Sequence, residues 1–329
     1  MTKFKVLKMH FTTPIHIGQG VTESYGRSGR ILHSDSISGA LAATFSAQYP
    51  GKDIKFFMES FQISSAFPFS GEKLFFPKPM IKLPVSSENE SLIVTKKLKK
   101  LEYFDQSSFE TIILGNELNV SSAEQLAGEG RFFLTKPDSS FQIPYSSVVI
   151  QRVAVPRSDG GDASPFYFER LTFEKGCGFW CFFEVAEDYR NMFLKCLIDL
   201  GENGIGTDRT VGNGQFEITI ETIDLALPET EANNLVLSLY WPAESELNAL
   251  ELDKSAYLLK KRGGFIAGSS DEKFRHLRRK SVYMFVEGSV FVGTTEGMIG
   301  DLRPEWNDSK LHPVWRDGRA FSIPIIVNS

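Results

Sequence analysis

The sequence predicts an α+β fold, and three observations lead to this class. Several segments alternate apolar and polar residues with the two-residue period of a strand. Two other segments, residues 37–45 and 192–200, repeat their apolar residues at helical spacing. A glycine-rich loop at residues 204–216 follows the second of these predicted helices and precedes another strand. Together they indicate strands and helices in mixed order.

Length and composition bound the architecture and the partners. A chain of 329 residues should form two domains, or one domain with a large insertion. The 28 Phe and the 42% apolar content support a substantial core. The net charge of -5 argues against non-specific nucleic-acid binding over the whole surface, although a local basic track remains compatible with it.

The cysteines and the apolar runs indicate the compartment. Cys177, Cys181 and Cys196 do not form a paired set, and the first two would share one strand face with phenylalanines. Buried thiols are therefore expected instead of a zinc site. No apolar run has membrane-spanning length, and residues 1–8 lack a signal-peptide core. We expect a cytoplasmic protein with no membrane partner.

The first 50 residues predict a strand followed by a helix. Residues 4–11 alternate apolar and polar side chains except at Leu7. A polar segment, residues 25–30, follows with two arginines. Ser34 or Asp35 would then cap a helix whose apolar residues recur every four positions up to Phe45.

Residues 54–150 predict a large irregular insertion. The aromatic stretches at 65–69 and 75–79 are interrupted by prolines, which favours extended loops over regular sheet. One short helical piece is expected around Phe109. The basic run at 96–100 is typical of a solvated face.

The regular pattern returns after the insertion. Residues 166–173 and 178–185 predict two strands joined as a hairpin through 174–177, followed by a helix from Asp188. The glycine-rich loop and a strand at 215–221 complete the set. Without the insertion, the order is βαββαβ, that of a ferredoxin-like domain at residues 1–228.

Residues 229–329 predict a second, degenerate ferredoxin-like domain. A strand at 235–241 opens it, and a basic glycine-containing turn ends near residue 265. A hairpin of residues 282–285 and 289–292 would turn at Glu287-Gly288. Residues 313–324 would close the sheet.

The glycine-rich loop is the strongest candidate for a binding site. Its four glycines frame a polar centre, residues 207–210, that includes Arg209. Glycine permits positive φ and a close approach of the backbone to a ligand. Successive exposed N–H groups can hold an anion, to which an arginine adds a fixed charge. The loop has no Gly-Lys-Ser/Thr continuation, so it is not a Walker loop.

Several motifs together resemble one family. A Gly-x-Gly-x5-Gly-x-Gly-x-Phe loop between the second helix and last strand resembles the RAMP superfamily of CRISPR proteins. Other motifs are similar to the fourth subunit of the type III-A Csm effector complex. They are His33-Ser-Asp-Ser-Ile-Ser-Gly-Ala-Leu, Ser65-Ala-Phe-Pro-Phe, Arg262-Gly-Gly-Phe, Arg279-Lys-Ser-Val-Tyr-Met-Phe-Val-Glu-Gly-Ser-Val and Pro313-Val-Trp-Arg-Asp-Gly-Arg-Ala-Phe.

This resemblance implies a non-catalytic RNA-binding subunit without a cofactor. Family members hold the 5′ tag of the CRISPR RNA. They contact the large polymerase-like subunit (Cas-ten) on one side and the first Csm backbone subunit (Csm three) on the other. A protruding thumb hairpin enters the guide–target duplex and meets target RNA. Residues 151–165 match that thumb region best.

Single-stranded RNA is recognised through backbone amides, arginines and stacking platforms. The N-terminus of the predicted helix near Ser34 would add amides and a favourable dipole. The predicted RNA contacts are Arg27, Arg30, His33, Ser34, Asp35, Arg152, Arg157, Gly204, Gly206, Asp208, Arg209, Thr210, Gly212, Gly214, Arg262, Gly263, Gly264, Arg278, Arg279 and Lys280.

A catalytic alternative centres on His33. Some RAMP proteins are metal-independent endoribonucleases that process CRISPR repeat RNA with a histidine as general acid or base. His33 beside Ser34 and Asp35 is the one tempting cluster, and Asp35 is also conceivable as a metal ligand. An N-cap with neighbours contacting RNA explains the same residues more simply. A ferredoxin-like enzyme unrelated to RNA does not account for the ordered motifs.

Overall fold

The computed structural model describes residues 1–19, 25–86, 92–154, 162–229, 233–266, 269, 271–305 and 308–328, with the backbone alone at 92–95. Five helices of the first region, residues 1–228, are α1 Ser34–Gln48, α2 Ile54–Glu59, α3 Leu92–Lys99, α4 Gln106–Ile113 and α5 Arg190–Asn203. Its strands are β1 Thr2–Phe11, β2 Phe61–Ile63, β3 Phe67–Ser70, β4 Lys73–Pro77, β5 Val85–Ser86, β6 Tyr103–Asp105, β7 Leu118–Asn119, β8 Leu126–Ala127, β9 Phe132–Phe133, β10 Tyr145–Ala154, β11 Ser164–Phe173, β12 Cys177–Val185 and β13 Phe216–Leu225.

One large mixed sheet organises the first region, which confirms an α+β fold. Its strands run in the order β13-β1-β12-β3-β4-β6-β9-β8, with β2 also paired to β12. The first four are antiparallel to their neighbours. Helices α1 and α5 pack together, and their apolar side chains join those of β1 and β12 in one core. The chain therefore runs β1-α1-β3-β12-α5-β13 through this part of the sheet.

Strand β1 explains why the predicted alternation is broken at Leu7. Val6 lies in the core on one side of the sheet, and Leu7 lies in the core beneath the helices. Both faces of the strand are buried at its centre, so consecutive apolar residues are required there. The predicted helices at 34–45 and from Asp188 are confirmed, with α5 preceded by a short 3-10 turn, Glu187–Tyr189.

The prediction of an irregular insertion at 54–150 is wrong in its first part. The aromatic stretches form β3 and β4, which are regular members of the large sheet. Within β3, only Phe69 and Ser70 pair with β4. Pro68 therefore does not need to donate a backbone hydrogen bond to that strand. Pro77 is the last residue of its strand. The short helix predicted around Phe109 is confirmed as α4.

The predicted hairpin of residues 166–173 and 178–185 is also wrong. The chain does reverse between Glu174 and Cys177, where an amide–carbonyl hydrogen bond of 3.0 Å closes the turn. However, β11 pairs over ten residues with β10, while β12 lies in the large sheet between β1 and β3. The long hairpin β10–β11 contains the predicted thumb, although residues 155–161 at its tip lie outside the described residues.

The C-terminal region, residues 229–329, consists of short elements. Its helices are α6 Glu244–Leu247 and α7 Glu272–Arg275. Its strands are β14 Asn233–Val236, β15 Leu259–Arg262, β16 Val282–Phe285, β17 Val290–Phe291, β18 Ile299–Asp301, β19 Trp315–Asp317 and β20 Ser322–Ile325.

The strands of the C-terminal region form one three-stranded sheet, β17-β14-β20, and two ribbons, β15–β16 and β18–β19. The predicted hairpin of residues 282–285 and 289–292 is wrong, because β16 pairs with β15 and β17 pairs with β14. A second ferredoxin-like domain is not confirmed.

A shared core joins the two regions. Leu235, Leu237 and Phe321 pack in the same cluster as Trp180 and Phe182 on the face of the sheet opposite the helices. Phe182 and Phe321 are stacked with ring centroids 5.5 Å apart. The boundary at residues 228–229 stays a prediction. No helix among the described residues is long and apolar enough to cross a membrane.

Candidate nucleic-acid interface

The glycine-rich loop takes the left-handed backbone conformation that its sequence predicts. The φ angles of its four glycines lie between 76° and 100°. Asp208 shares this conformation with a φ of 60°, which is uncommon for a residue with a Cβ. The loop thus contains five positive φ angles between α5 and β13. Its course depends on glycine at positions where other residues would be strained.

The stem of the loop packs against the segment of residues 13–18 that follows β1. The amide of Gly214 donates to the carbonyl of Pro14 over 2.8 Å, and the amide of Thr207 donates to that of His16 over 3.0 Å. A Cβ on Gly206 would lie 2.5 Å from the His16 carbonyl oxygen. Gly206 and Gly214 therefore shape and anchor the loop, and Gly204, which is buried, belongs with them.

The tip of the loop, residues 209–212, faces solvent. It forms a single 3-10 turn, Arg209–Val211, closed by a 2.9 Å bond from the Gly212 amide to the Arg209 carbonyl. The amides of Arg209 and Thr210 are in the first turn and donate to no group of the described residues. Gly212 has open space around the position of a Cβ. The tip therefore presents two amides and the Arg209 guanidinium to solvent.

The hairpin β10–β11 reaches this loop through one arginine. Arg152 of β10 forms an ion pair with Asp208, and both side chains are about one-third exposed. The same guanidinium lies over the ring of Phe168 in β11, 5.2 Å from its centroid. The ring of His16 also stacks on that of Phe168, with the two centroids 4.7 Å apart. The hairpin and the loop are thus joined at Asp208.

Residues 25–30 lie beside strand β11 of the same hairpin. The carbonyl of Tyr25 accepts a 2.9 Å hydrogen bond from the amide of Glu169. The centroid of the Tyr25 ring lies 5.7 Å from that of the Phe166 ring. Arg27 and Arg30 are exposed, and no carboxylate of the described residues forms an ion pair with either. The structure therefore brings together a group of the predicted RNA contacts on three adjacent segments, which we call the loop–hairpin surface. Its members are Arg27, Arg30, Arg152, Asp208, Arg209, Thr210 and Gly212.

The start of α1 contradicts the prediction of a phosphate site. His33, Ser34 and Asp35 are all buried. His33 is the N-cap and makes no side-chain capping bond, so the predicted caps Ser34 and Asp35 are wrong. The Ser34 amide donates to the Ser65 hydroxyl over 2.8 Å, and its own hydroxyl accepts from the amide of Leu239. The amide and the hydroxyl of Ser34 are therefore both engaged within the chain.

Two buried arginines of the C-terminal region neutralise Asp35. Arg262 donates two bonds of 2.7 and 2.8 Å to its carboxylate, and Arg316 donates a third of 2.6 Å. Burial raises the pKa of a carboxyl group, but the charges of Arg316 and Arg262 outweigh it and hold the pKa of Asp35 far below its ordinary value. Arg262, predicted to contact RNA, instead binds Asp35.

His33 takes part in the same network. Its Nδ1 lies 2.7 Å from a carboxylate oxygen of Glu287, and its Nε2 lies 3.0 Å from Nζ of Lys260. Lysine only donates, so Nε2 accepts while the Nδ1 hydrogen is donated to Glu287. The Ser65 hydroxyl also bonds Glu287. Both ring nitrogens of His33 are occupied, so in this arrangement it offers none to an RNA hydroxyl.

We call this set the buried junction: His33, Ser34, Asp35, Ser65, Lys260, Arg262, Glu287 and Arg316. Arg316 and Glu287 were missed as partners, because nothing local in the sequence connects them to a position more than 250 residues away. One available signal was Glu287, the only charged residue between Val282 and Val292 in a mostly apolar segment. Among the described residues, no group of His, Cys, Asp and Glu side chains could hold a metal ion.

The remaining predicted contacts lie beside the buried junction. Arg279 donates to the carbonyl of Gly263 over 2.6 Å, with the Gly264 backbone next to it. Burial and the nearby Arg316 charge lower the pKa of Arg279 to about 9, so its cation would gain from an added anion. Arg278 and Lys280 are exposed. Arg157 lies outside the described residues.

Comparisons with known proteins agree with this fold. The family model of the RAMP superfamily matches residues 8–217, and that of the CRISPR Csm4 C-terminal domain matches residues 229–325. The CRISPR system protein Csm4 of Thermococcus onnurineus is 27% identical over 281 residues, covering 82% of this chain and 84% of that protein. Csm4 of Mycobacterium tuberculosis is 31% identical over 166 residues, covering 50% and 52%.

Solved structures show the same fold at low sequence identity. The crystal structure of a Csm1-Csm4 cassette in complex with cA4 matches with a TM-score of 0.61 and 17% identity, covering 100% of both chains. A Csm3-Csm4 subcomplex of the type III-A interference complex matches with a TM-score of 0.61 and 15% identity, covering 98% of this chain and 99% of that one.

Proposed function

The chain belongs to the RAMP superfamily, and we propose that it is an RNA-binding subunit of a type III-A CRISPR effector complex, acting without catalysis of its own. In this proposal it anchors the 5′ tag of the CRISPR RNA. It also links the large polymerase-like subunit to the Csm three backbone subunit. The similarity to Csm4 proteins along most of the chain supports membership in such a complex.

The exposed tip of the glycine-rich loop is the observation that carries the RNA part of the proposal. This one exposed turn contains two amides without a partner among the described residues and an arginine, and groups of these types hold phosphates. Arg27 and Arg30 add positive charge along the neighbouring segment, without carboxylates paired to them among the described residues. A single strand could therefore run along the loop–hairpin surface with its backbone toward these groups.

The β10–β11 hairpin supplies the second RNA-contacting element of the proposal. Its outer surface leaves Val149, Val153 and Tyr167 exposed, although the base of the hairpin packs in the core through Tyr145 and Leu171. An apolar, protruding hairpin of this kind suits contact with a guide–target duplex. The Arg152–Asp208 pair would hold the hairpin at a fixed position relative to the anchored tag.

The test is the binding of an RNA oligonucleotide with the 5′ tag sequence to the purified chain carrying Arg209→Glu. We expect weaker binding, and for Arg209→Ala a decrease of about 1 in the slope of log affinity against log salt. Lys100→Glu is the matched control, because it reverses an exposed charge next to α3, which packs on β8 at the opposite end of the large sheet.

Normal tag binding by Arg209→Glu with unchanged salt dependence would contradict the proposal. Circular dichroism and thermal unfolding of both variants establish that each is folded. A second readout is co-purification: the tagged chain should bring down a short RNA with a uniform 5′ end together with the large subunit, and Arg209→Glu should reduce the RNA.

A further inference from the structure

The ribbon β15–β16 presents an unusual exposed face. In its antiparallel register, Lys261 lies opposite Tyr283, and Leu259 is two residues along on the same face. Tyr283 is 60% exposed and Leu259 53% exposed. The opposite face carries Arg262 and Lys260 into the buried junction, so the ribbon is fixed to the rest of the chain. We call Leu259, Lys261 and Tyr283 the ribbon face.

The surroundings of the ribbon face are basic, although the chain as a whole is acidic. Residues 258–283 contain eight lysines and arginines but only two acidic residues. Some of these cations are already paired, among them Lys273 with Asp308 and Arg262 with Asp35. Lys261 and Lys280 are exposed and form no ion pair with any described residue. An anionic partner would therefore meet unused positive charge here.

The position of Lys261 distinguishes between classes of partner. It lies directly across the ribbon from Tyr283 and two residues from Leu259 on the same strand, so both apolar side chains are its neighbours on this face. The buried centre of a protein–protein interface is depleted of lysine, because its ammonium group is costly to desolvate. Single-stranded nucleic acid requires the combination found here, since bases stack on aromatic side chains while lysines contact the backbone phosphates.

A second aromatic platform continues the ribbon. Phe265 is partly exposed and forms a bridge with Arg278 on the opposite strand. The Arg278 guanidinium lies over its ring, 5.2 Å from the centroid. A planar guanidinium on a ring extends the stacking surface, and Arg is itself a platform for bases. The segment therefore has an exposed aromatic side chain with a basic neighbour at two places, Tyr283 with Lys261 and Phe265 with Arg278.

We propose that the ribbon face binds a segment of single-stranded RNA, with a base stacked on Tyr283 and backbone phosphates on Lys261 and Lys280. The inference rests on the proposed function, because an RNA-binding chain supplies the ligand. It adds a second contact, separate from the loop–hairpin surface, on the C-terminal region. The strand bound at the glycine-rich loop, or another single-stranded part of the same RNA, would occupy it.

The probe is a fluorescently labelled 12-nucleotide oligouridine RNA, titrated with the full chain. Tyr283→Ala should weaken binding about 5- to 150-fold, the range for loss of one base–aromatic stack. Tyr283→Trp should bind more tightly than Tyr283→Ala, because tryptophan also offers an aromatic ring for stacking. Lys261→Ala should lower the salt slope by about 1. Phe56→Ala is the matched control, since Phe56 is a 64% exposed aromatic residue on α2.

The outcomes separate this inference from the proposed function. If Arg209→Glu weakens RNA binding while Tyr283→Ala and Lys261→Ala bind normally, the ribbon face is overturned and the proposed function stands. If Tyr283→Ala keeps RNA binding but loses co-purification with the large subunit, the face is a protein interface and the inference is overturned. Normal binding by all variants overturns both.

Discussion

The loop–hairpin surface and the buried junction contain similar residue types but differ in their surroundings. Both combine arginines with an aspartate at a helical turn. In the loop–hairpin surface, Asp208 meets one arginine at a position that is one-third exposed. In the buried junction, Asp35 meets two arginines with essentially no exposure. The same residue types thus form an exposed pair in one place, where we propose RNA recognition, and a buried structural network in the other.

The contrast is explained by the location of the partners. The arginines of the buried junction come from the C-terminal region, which covers the start of α1 and removes its water. No described part of the chain covers the tip of the glycine-rich loop. A buried pair stabilises little relative to apolar packing, but it is costly to break because the remaining charge has no solvent. An exposed pair is inexpensive to break.

Asp35→Ala tests the contrast with the largest expected effect. It leaves Arg262 and Arg316 buried without their carboxylate, so we expect the free energy of unfolding to fall by about 3–5 kcal/mol. Urea unfolding of the purified chain measures it. Glu187→Ala is the control, since it removes a carboxylate from the exposed pair with Arg190 and should cost less than about 1 kcal/mol. Equal losses would show that burial of the junction does not matter.

Glu287→Gln is expected to have an intermediate effect that depends on pH. Burial raises the pKa of Glu287, but the hydrogen-bonded His33 and the Ser65 hydroxyl outweigh it, so its pKa is lowered. A lowered pKa stabilises the folded chain fully above the ordinary pKa of a glutamate, and this contribution is lost as pH falls through the lowered value. At neutral pH we expect a loss of about 1–3 kcal/mol.

The pH dependence is what sharpens this second prediction. The difference in unfolding free energy between the original chain and Glu287→Gln should be largest near neutral pH. It should shrink as pH falls below about 4.3, the ordinary glutamate pKa, because the carboxyl group of the unfolded chain then binds a proton while that of the folded chain stays charged down to its lowered pKa. Thermal unfolding from pH 7 to pH 3 follows it. A difference that stays constant over this range would contradict the assigned charge of Glu287.

Arg152→Ala should have the smallest effect on stability and a visible effect on RNA. Both side chains of its ion pair are about one-third exposed, so we expect a loss below about 1 kcal/mol. Because the pair joins the hairpin to the loop, binding of a guide–target duplex should weaken. Arg190→Ala is the matched control from another exposed pair. A stability loss as large as that of Asp35→Ala would remove the distinction between the two clusters.

Local patterns predicted the parts of the fold that local forces determine. Helices α1, α4 and α5 were visible in their apolar spacing, and the positive φ angles of the loop followed from its glycines. Pairing of strands could not be read in this way. Strand β3, Phe67–Ser70, lies beside β12 although more than 100 residues separate them in the chain. Residues 166–173 pair with the preceding strand β10 instead of with the strand that follows them.

The candidate site shows the same difference between features set by local sequence and features set by distant segments. Arg209, Thr210 and Gly212 are exposed, as a contact with RNA requires, because a glycine-framed polar turn has nothing apolar to bury, and their contact with RNA stays a prediction. The start of α1 looked equally polar in sequence. Its burial follows from Leu239, Arg262 and Arg316, which reach it from the other end of the chain. A resemblance to a family identifies a motif in this chain, but it does not show whether the residues of that motif are buried or exposed.

The separation between Asp35 and its partners also matters during synthesis. Arg262 follows Asp35 by 227 residues and Arg316 by 281 residues. At a translation rate of about 5–20 residues per second, about 14–56 seconds pass before the second arginine is made. During that interval the nascent first region carries an unmatched carboxylate and an uncovered apolar sheet face. Until Arg316 and Phe321 have been made, this carboxylate and this sheet face lack partners that cover them in the folded chain.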